Sequence, residues 1–523
     1  MTPTAPAPTD EIETSTPSAA PTRIVTRAVL RGSRRSNRGR YRLRKRWDVG
    51  MAGRTSGRWA RVFAVGTIAC AGWPFTLGPS ATYADTLDGS LVLAYLNNPT
   101  LNSQRASVRA TDEGVPQALS GYRPRVTFNG AVGSQYNDTL TRSSTLGATY
   151  SHLTGTMTPS NFGLTATQTL YNGFQTANRT RQAESQVQAA RETLRTGEQT
   201  VLLSAVTAYM NLLRDGAILD LQRRNVEVLQ EQLRQTRDRF NVGEVTRTDV
   251  AQAESRLASG RSQVLSAEAI YKASVATYRQ VIGIEPGKLA AGSPVDRFSP
   301  RDLTSSIGVA TATHPQVTTA EYNVDAAQLQ VKVAESALYP TLSLQGNAQQ
   351  SYETNLLQLK IFNASVLGQL TVPIYQGGAE YSLIRQAKET LGQRRLDLDT
   401  ARDQVRQNVV QSWGQLDAAK ANIEATQAQV QASEIALNGV REEARVGQRT
   451  TLDVLNAQQE LVNARVALVS AQRDRVVASY TLLSAVGRLS PQVLGLRVPN
   501  YDAGVHYQQV RDTWAGVRTP DGR

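Results

Sequence analysis

One cysteine, three histidines and an aromatic content of 6 % are all that 523 residues supply of the groups that usually build metal centres, disulfides and large cores. Cys70 has no partner for an intrachain disulfide. His152, His314 and His506 stand far apart, with no second ligand at metal-binding spacing. No catalytic constellation can be assembled from them, so enzymatic chemistry, a cofactor and a metal are not expected. After residue 84 no run of about 18 apolar residues occurs, so any crossing of a membrane must be made by strands. Proline is missing from residues 174 to 285 and again from 374 to 490. Two such stretches can hold helices far longer than a globular domain needs.

The formal charge of +13 is uneven. Residues 1 to 61 carry 14 Lys and Arg against four acids, residues 62 to 84 carry no charge, and the rest is close to balanced at +3. The basic isoelectric point therefore gives no reason to expect a nucleic-acid partner. Arg54, Arg58 and Arg61 lead into the apolar run from Val62 to Trp73, and small residues follow as far as Thr82-Tyr83-Ala84. This is the layout of a secretory signal peptide cleaved after Ala84, with Met51 as an alternative translation start. Lipidation at Cys70 is the competing outcome, and Thr67-Ile68-Ala69 is a poor approach to it.

The remainder is written twice. Leu170-Tyr171-Asn172-Gly173 matches Ile374-Tyr375-Gln376-Gly377, Val242-Gly243 matches Val446-Gly447, Asp249-Val250 matches Asp453-Val454 and Ile282-Gly283 matches Val486-Gly487, all at an offset of 204. Upstream, Pro99 and Pro124 match Pro315 and Pro340 at an offset of 216, so the first copy holds 12 extra residues. They fall between Asn137 and Ser160, where Thr, Ser and Gly predict an enlarged loop. The expected organisation is residues 1–84 as leader, 85–283 and 303–487 as the two repeats, 284–302 as linker and 488–523 as tail.

Each copy begins with a short amphipathic helix (Leu91 to Asn98; Ile307 to Thr313) and a second helix reaching Tyr122 or Leu338, stopped by Pro124 or Pro340. Alternating segments follow: Val126, Phe128, Gly130, Val132 and Phe162, Leu164, Ala166 in the first copy, Leu342, Leu344, Gly346, Ala348 and Val366, Gly368, Leu370, Val372, Ile374 in the second. An apolar face opposite Thr, Gln and Asn suits a membrane strand, and equally a soluble hairpin with one wet face. Then the period changes. Gly173 and Gly243 are 70 residues apart, about 105 Å as helix. Seven-residue steps (Leu219, Val226, Leu233, Phe240; Val250, Leu257, Val264, Tyr271, Tyr278; Ile423, Val430, Leu437; Val454, Leu461, Leu468) predict antiparallel coiled-coil hairpins. Four strands cannot close a barrel and open edges are not tolerated in lipid, so two or more chains must share one.

The doubled strand–strand–long-hairpin plan and the two turns, Arg239-Phe-Asn-Val-Gly-Glu-Val-Thr-Arg-Thr-Asp-Val250 and Ala444-Arg-Val-Gly-Gln-Arg-Thr-Thr-Leu-Asp-Val454, resemble the TolC family of outer-membrane efflux and secretion channels over roughly residues 86 to 490. The resemblance implies a mainly α protein with membrane strands: a homotrimer whose twelve-stranded β-barrel in outer-membrane lipid continues as an α-helical barrel across the periplasm. It also implies two partners, a periplasmic adaptor (membrane fusion) protein and an inner-membrane transporter, and no catalysis. Tyr501-Asp502-Ala503-Gly504-Val505-His506-Tyr507 and Trp514-Ala-Gly516 are similar to members that serve type I protein secretion. A periplasmic adaptor would carry a single hairpin, and a purely structural coiled coil would need neither strands nor a cleavable signal.

Two roles stay open at the turns. Gly243 and Gly447 are placed to end helices in the left-handed conformation, and Thr246 and Thr450, three residues before Asp249 and Asp453, suit capping boxes. The resemblance adds a carboxylate ring of Asp453 at the periplasmic entrance, with Arg449 and Asp249 in polar links that hold it shut. Asn456 stands where a family member has a second ring of Asp, and Ala444 where it has a gating Tyr. As the far ends of the rods, Val242, Gly243, Thr246, Val446, Gly447 and Thr450 are the expected adaptor contacts.

Overall fold

Pro99 and Pro315 each occupy the first turn of a helix, where a missing N–H costs nothing, and Asn98 and His314 cap those helices with their side chains. From such local starts a computed structural model describes residues 86–143, 149–520 and 522. The leader, its cleavage site and Cys70 lie outside the described residues.

The first copy runs α1 (Leu87–Asn97), α2 (Pro99–Asp112), α3 (Gly114–Leu119), β1 (Arg125–Val132), β2 (Gln135–Ser143), β3 (Thr149–Met157), β4 (Ser160–Asn172), α4 (Gln175–Asn241) and α5 (Arg247–Ile282). The second runs α6 (Leu303–Thr313), α7 (Pro315–Glu335), β5 (Thr341–Asn355), β6 (Gln358–Thr371), α8 (Ala379–Arg445) and α9 (Thr451–Ala485), and α10 (Ala503–Val510) lies in the tail. The helix expected up to Tyr122 is α2 and α3 followed by a 3₁₀ turn at Ser120–Tyr122. The apolar alternation of the last strand continues in sequence to Ile374, but β6 stops at Thr371, ahead of Pro373.

The strand register corrects one expectation. Residues 137–143 and 149–157, expected as loop, are strand: β2 pairs with β3 from Gln135↔Met157 to Ser143↔Thr149, continuing the register of β1 and β4. Only Gly133-Ser134 and Thr158-Pro159 interrupt the ladder, and the Gly133 N–H donates to Pro159 O across the break at 3.0 Å. The second hairpin turns at once between Asn355 and Gln358. The 12 extra residues are therefore shared between two strands, which carry the first hairpin beyond the second by about 20 Å at ~3.3 Å per residue. Thr, Ser and Gly suggested a loop, but a pleated, exposed hairpin accepts Thr and Ser as readily.

The four-stranded sheet has the order β1-β4-β5-β6, antiparallel throughout. Directly paired residues share a face, so the register sorts the side chains. One face holds Val126, Phe128, Phe162, Leu164, Leu342, Leu344, Val366 and Leu370; the other holds Thr127, Thr165, Asn347, Gln345 and Gln369. The apolar face is bare in one chain, with Phe128 68 % exposed and Val366 75 %. Exposed aromatics mark two levels, Tyr122, Tyr171, Tyr339 and Tyr375 at the helical end and Tyr136, Tyr352 and Phe362 at the other. Tyr339 and Tyr352 are 13 residues apart, about 30–35 Å after the ~40° tilt of barrel strands, which matches a bilayer core.

Below the sheet, α4 and α8 have 67 residues each, about 100 Å of helix. The heptad residues Leu219, Leu233, Leu257, Tyr278, Leu437, Val454 and Leu461 are buried as expected, and Phe240, at the far end, is exposed. The main core lies at mid-height, where α1 (Leu87, Leu91), α4 (Leu202, Tyr209), α5 (Tyr278, Ile282), α9 (Tyr480, Leu483) and Val295 of the connecting segment meet. No helix among the described residues is long and apolar enough to cross a membrane.

Candidate functional site

The far ends of the two coiled coils are built alike because their sequences are alike. Helix α4 ends at Asn241, and Gly243 takes φ +80°, which lets its N–H and that of Glu244 reach back to Phe240 O and Arg239 O at 3.0 and 2.9 Å. Gly447 does the same at φ +82°, its N–H and that of Gln448 bonding Ala444 O and Glu443 O. Each return helix opens with a full capping box. Asp249 Oδ2 accepts from the Thr246 N–H at 2.9 Å, and the Asp249 N–H donates to Thr246 Oγ1 at 3.3 Å. Thr450 and Asp453 repeat it at 3.0 and 3.2 Å. Val242 and Val446 project as exposed apolar residues beside the glycines.

Electrostatics separates the two turns. The Thr450 backbone and hydroxyl, together with the nearby Arg449 guanidinium, hold the Asp453 carboxyl below the usual carboxylate range. Arg449 is held above its ordinary value by Glu443, whose Oε2 accepts from Arg449 Nε at 2.8 Å. In the first turn, Arg239 Nε donates to Glu244 Oε2 at 2.9 Å. Within one chain Asp249 thus belongs to the first turn, and Arg449 and Asp453 to the second.

The two hairpins meet a turn farther in. Leu455 of α9, 3 % exposed, packs with Leu229 and Leu233 of α4 and Ala253 and Leu257 of α5. Beside this plug, Arg256 Nη2 donates to Asn456 Oδ1 at 2.7 Å. The next polar step is Gln458, which accepts from Arg441 at 3.0 Å and donates to Asn225 at 3.5 Å. Farther up, Arg473 Nε donates to Asn211 Oδ1 at 2.7 Å. Asn211 and Asn225 lie two heptads apart on α4, so one polar stripe fastens α9 along the first hairpin.

Sequence reasoning singled out Asn456 as a departure and missed its donor. Arg256 has Glu460 as its counterpart at the repeat offset, so the doubling hid it. The Asn211–Asn225 spacing was the available signal, a polar pair at heptad steps within an apolar seam.

Residues 91–284 and 307–488 match the family model described as outer membrane efflux protein, one segment for each copy of the repeat. The chain is 44 % identical over 444 residues to the outer membrane efflux protein BepC of Brucella suis, covering 85 % of this chain and 94 % of that one. It is 29 % identical over 317 residues to the outer membrane protein TolC of Escherichia coli, covering 58 % and 64 %. The crystal structure of the Campylobacter jejuni CmeC outer membrane channel superposes with a TM-score of 0.67 at 18 % identity over 82 % of this chain and 89 % of that one, a likeness of fold. With both repeats matched and a relative this similar over nearly its whole length, the chain belongs to the outer membrane efflux protein family and serves as an outer-membrane exit duct, extending into the periplasm, for efflux or type I secretion.

Proposed function

We propose that three copies of this chain close one twelve-stranded barrel and one helical barrel below it. On this reading each repeat (residues 85–283 and 303–487, joined by 284–302) supplies two barrel strands and one long hairpin. The observation that carries it is the sheet itself: four strands, a bare apolar face opposite a polar one, and two edges, β1 and β6, that pair with no other strand among the described residues. Because the four strands alternate in direction, β1 and β6 run in opposite senses, so the β6 edge of one copy continues antiparallel onto the β1 edge of the next. Closure removes edges that lipid cannot hydrogen-bond. The apolar face then meets lipid, and the Thr, Asn and Gln face lines water.

The helix turns at Gly243 and Gly447 form the periplasmic mouth in this assembly. Val242, Thr246, Val446 and Thr450 present exposed backbone and small apolar contacts to a periplasmic adaptor, which links the duct to an inner-membrane transporter. Asp453 repeats around the axis as a carboxylate ring, with Arg449 and Asp249 in its polar surround and the Arg256–Asn456 bond fastening α9 behind it. Opening requires α9 to part from the first hairpin along the Asn211–Asn225 stripe.

Native mass spectrometry of the detergent-extracted protein, combined with single-channel recording in planar bilayers, tests the assembly. A mass of three chains with cation-selective conductance is expected. A mass of one or two chains, or bilayers that stay closed, overturns it.

A further inference from the structure

The C-terminal tail carries a feature that the duct does not need. Helix α10 is clamped against the upper rods: His506 Nδ1 and Asp112 Oδ2 are 3.0 Å apart in a buried contact, and Tyr507 donates to Glu184 Oε1 at 3.4 Å. From there the chain reaches the base of the sheet. Arg123 Nη1 donates to Thr513 O at 2.7 Å, and the Arg123 guanidinium stacks 4.7 Å over the Trp514 ring. Arg123 directly precedes Pro124 and β1, so Trp514 is held at the level of Tyr122, Tyr339 and Tyr375, the lower aromatic belt. Among the described residues Arg123 takes one face of the ring and the rest stays open: Trp514 is 71 % exposed and Val517 100 %, with Arg511 and Arg518 on either side.

An exposed indole on a short tail is costly in water, and placing it at one height by a cation–π contact and a backbone bond has no structural return inside the chain. At a bilayer interface the same group is favoured, since its ring sits at the headgroup level while arginines meet phosphates. We propose that residues 511–518 form a membrane-contact segment, in which Trp514 and Val517 enter the periplasmic leaflet of the outer membrane and Arg511 and Arg518 meet phospholipid headgroups. The segment continues the lipid-facing belt of the strands. It ties the membrane level to α2 and α4 through α10, so the tail fixes the height of the barrel against the rods.

The test uses the whole chain reconstituted into phosphatidylethanolamine–phosphatidylglycerol vesicles. Of the tryptophans in residues 86–523 only Trp413 and Trp514 are present, and subtracting the emission of Trp514→Phe from that of the wild type isolates Trp514. The expected difference spectrum is blue-shifted, quenched by lipids brominated near the glycerol end of the acyl chain, and insensitive to aqueous iodide. Quenching by iodide but not by brominated lipid would place the ring in water and overturn the proposal. Insensitivity to both would place it against protein, such as a second copy of this chain, and overturn it equally. Arg123→Gln removes the stack without touching the tail, and should weaken bromolipid quenching at least twofold while the assembly keeps its mass. Quenching unchanged in that variant would remove Arg123 from the anchor.

Discussion

Arg256 and Asn456, 200 residues apart in sequence, are joined at 2.7 Å by the polar bond between the two hairpins that lies nearest the helix turns among the described residues. It is solvent-exposed, so a single copy contributes about 0.5–1 kcal/mol. Symmetry changes that value. If three copies open together, three bonds break in one event, and the balance between closed and open moves by about 1.5–3 kcal/mol, roughly 10- to 150-fold. Arg256→Ala should therefore raise mean conductance in planar bilayers. Asn456→Ala should match it, and the double variant should add nothing. Additive effects would show that the two side chains act separately.

The turn glycines allow a test free of packing effects. A Cβ at Gly447 would meet nothing within 4 Å, so a substitution there acts through the backbone alone, which sits at φ +82°. Gly447→Val forces a β-branched residue into the left-handed region at about 1–2 kcal/mol, whereas Gly447→Asn is tolerated there. Export should fall with Val and survive with Asn while assembly is unaffected. Equal export from both variants would mean that the turn is not the adaptor contact.

How much of this was legible in advance depends on whether the pattern was periodic. The 204-residue offset carried the turns, the caps and the heptads, and each of Gly243, Gly447, Thr246 and Thr450 takes the backbone role its residue type suggests. The protruding hairpin was misread because Thr, Ser and Gly serve loops and wet strands alike, and only the register between β2 and β3 distinguishes them. Arg256 was hidden for another reason: its counterpart at the repeat offset is Glu460, and although the Asn211–Asn225 spacing marks a polar stripe on α4, which residues meet across two hairpins depends on their relative placement.

The buried clamp on the tail predicts a local loss rather than a global one. Asp112 is fully buried, and desolvation pushes its carboxyl up despite the opposing His506 and Arg191. His506→Ala removes the hydrogen-bond partner of that carboxylate and leaves it to Arg191, 3.9 Å away, and to the charge of Arg109. Leaving a buried carboxylate oxygen without its hydrogen-bond partner costs about 1–3 kcal/mol. The cost falls on the contact between α10 and α2, so limited proteolysis should release the C-terminal segment much faster while the helical hairpins stay protected. Uniform loss of protection would assign His506 to the general core.

Asp453 serves two possible ends, a helix cap and an axial charge, and the structure allows them to be separated. Thr450→Ala removes both hydroxyl bonds of the capping box, at about 1 kcal/mol, but keeps the carboxylate and the backbone N–H that donates to it. Asp453→Asn keeps an acceptor for the Thr450 N–H and removes the charge. If the carboxylates form a ring, cation selectivity and block by multivalent cations should fall in Asp453→Asn and persist in Thr450→Ala. The pH dependence has a definite sign. The folded carboxyl is held below its ordinary value, so the charge is fully present above the ordinary range and is lost only as pH falls through the depressed value. Selectivity in the wild type should therefore persist through the range in which an ordinary Asp carboxyl, at about 3.9, titrates, and decline only in stronger acid. Selectivity lost with Thr450→Ala and kept with Asp453→Asn would reduce Asp453 to a helix cap.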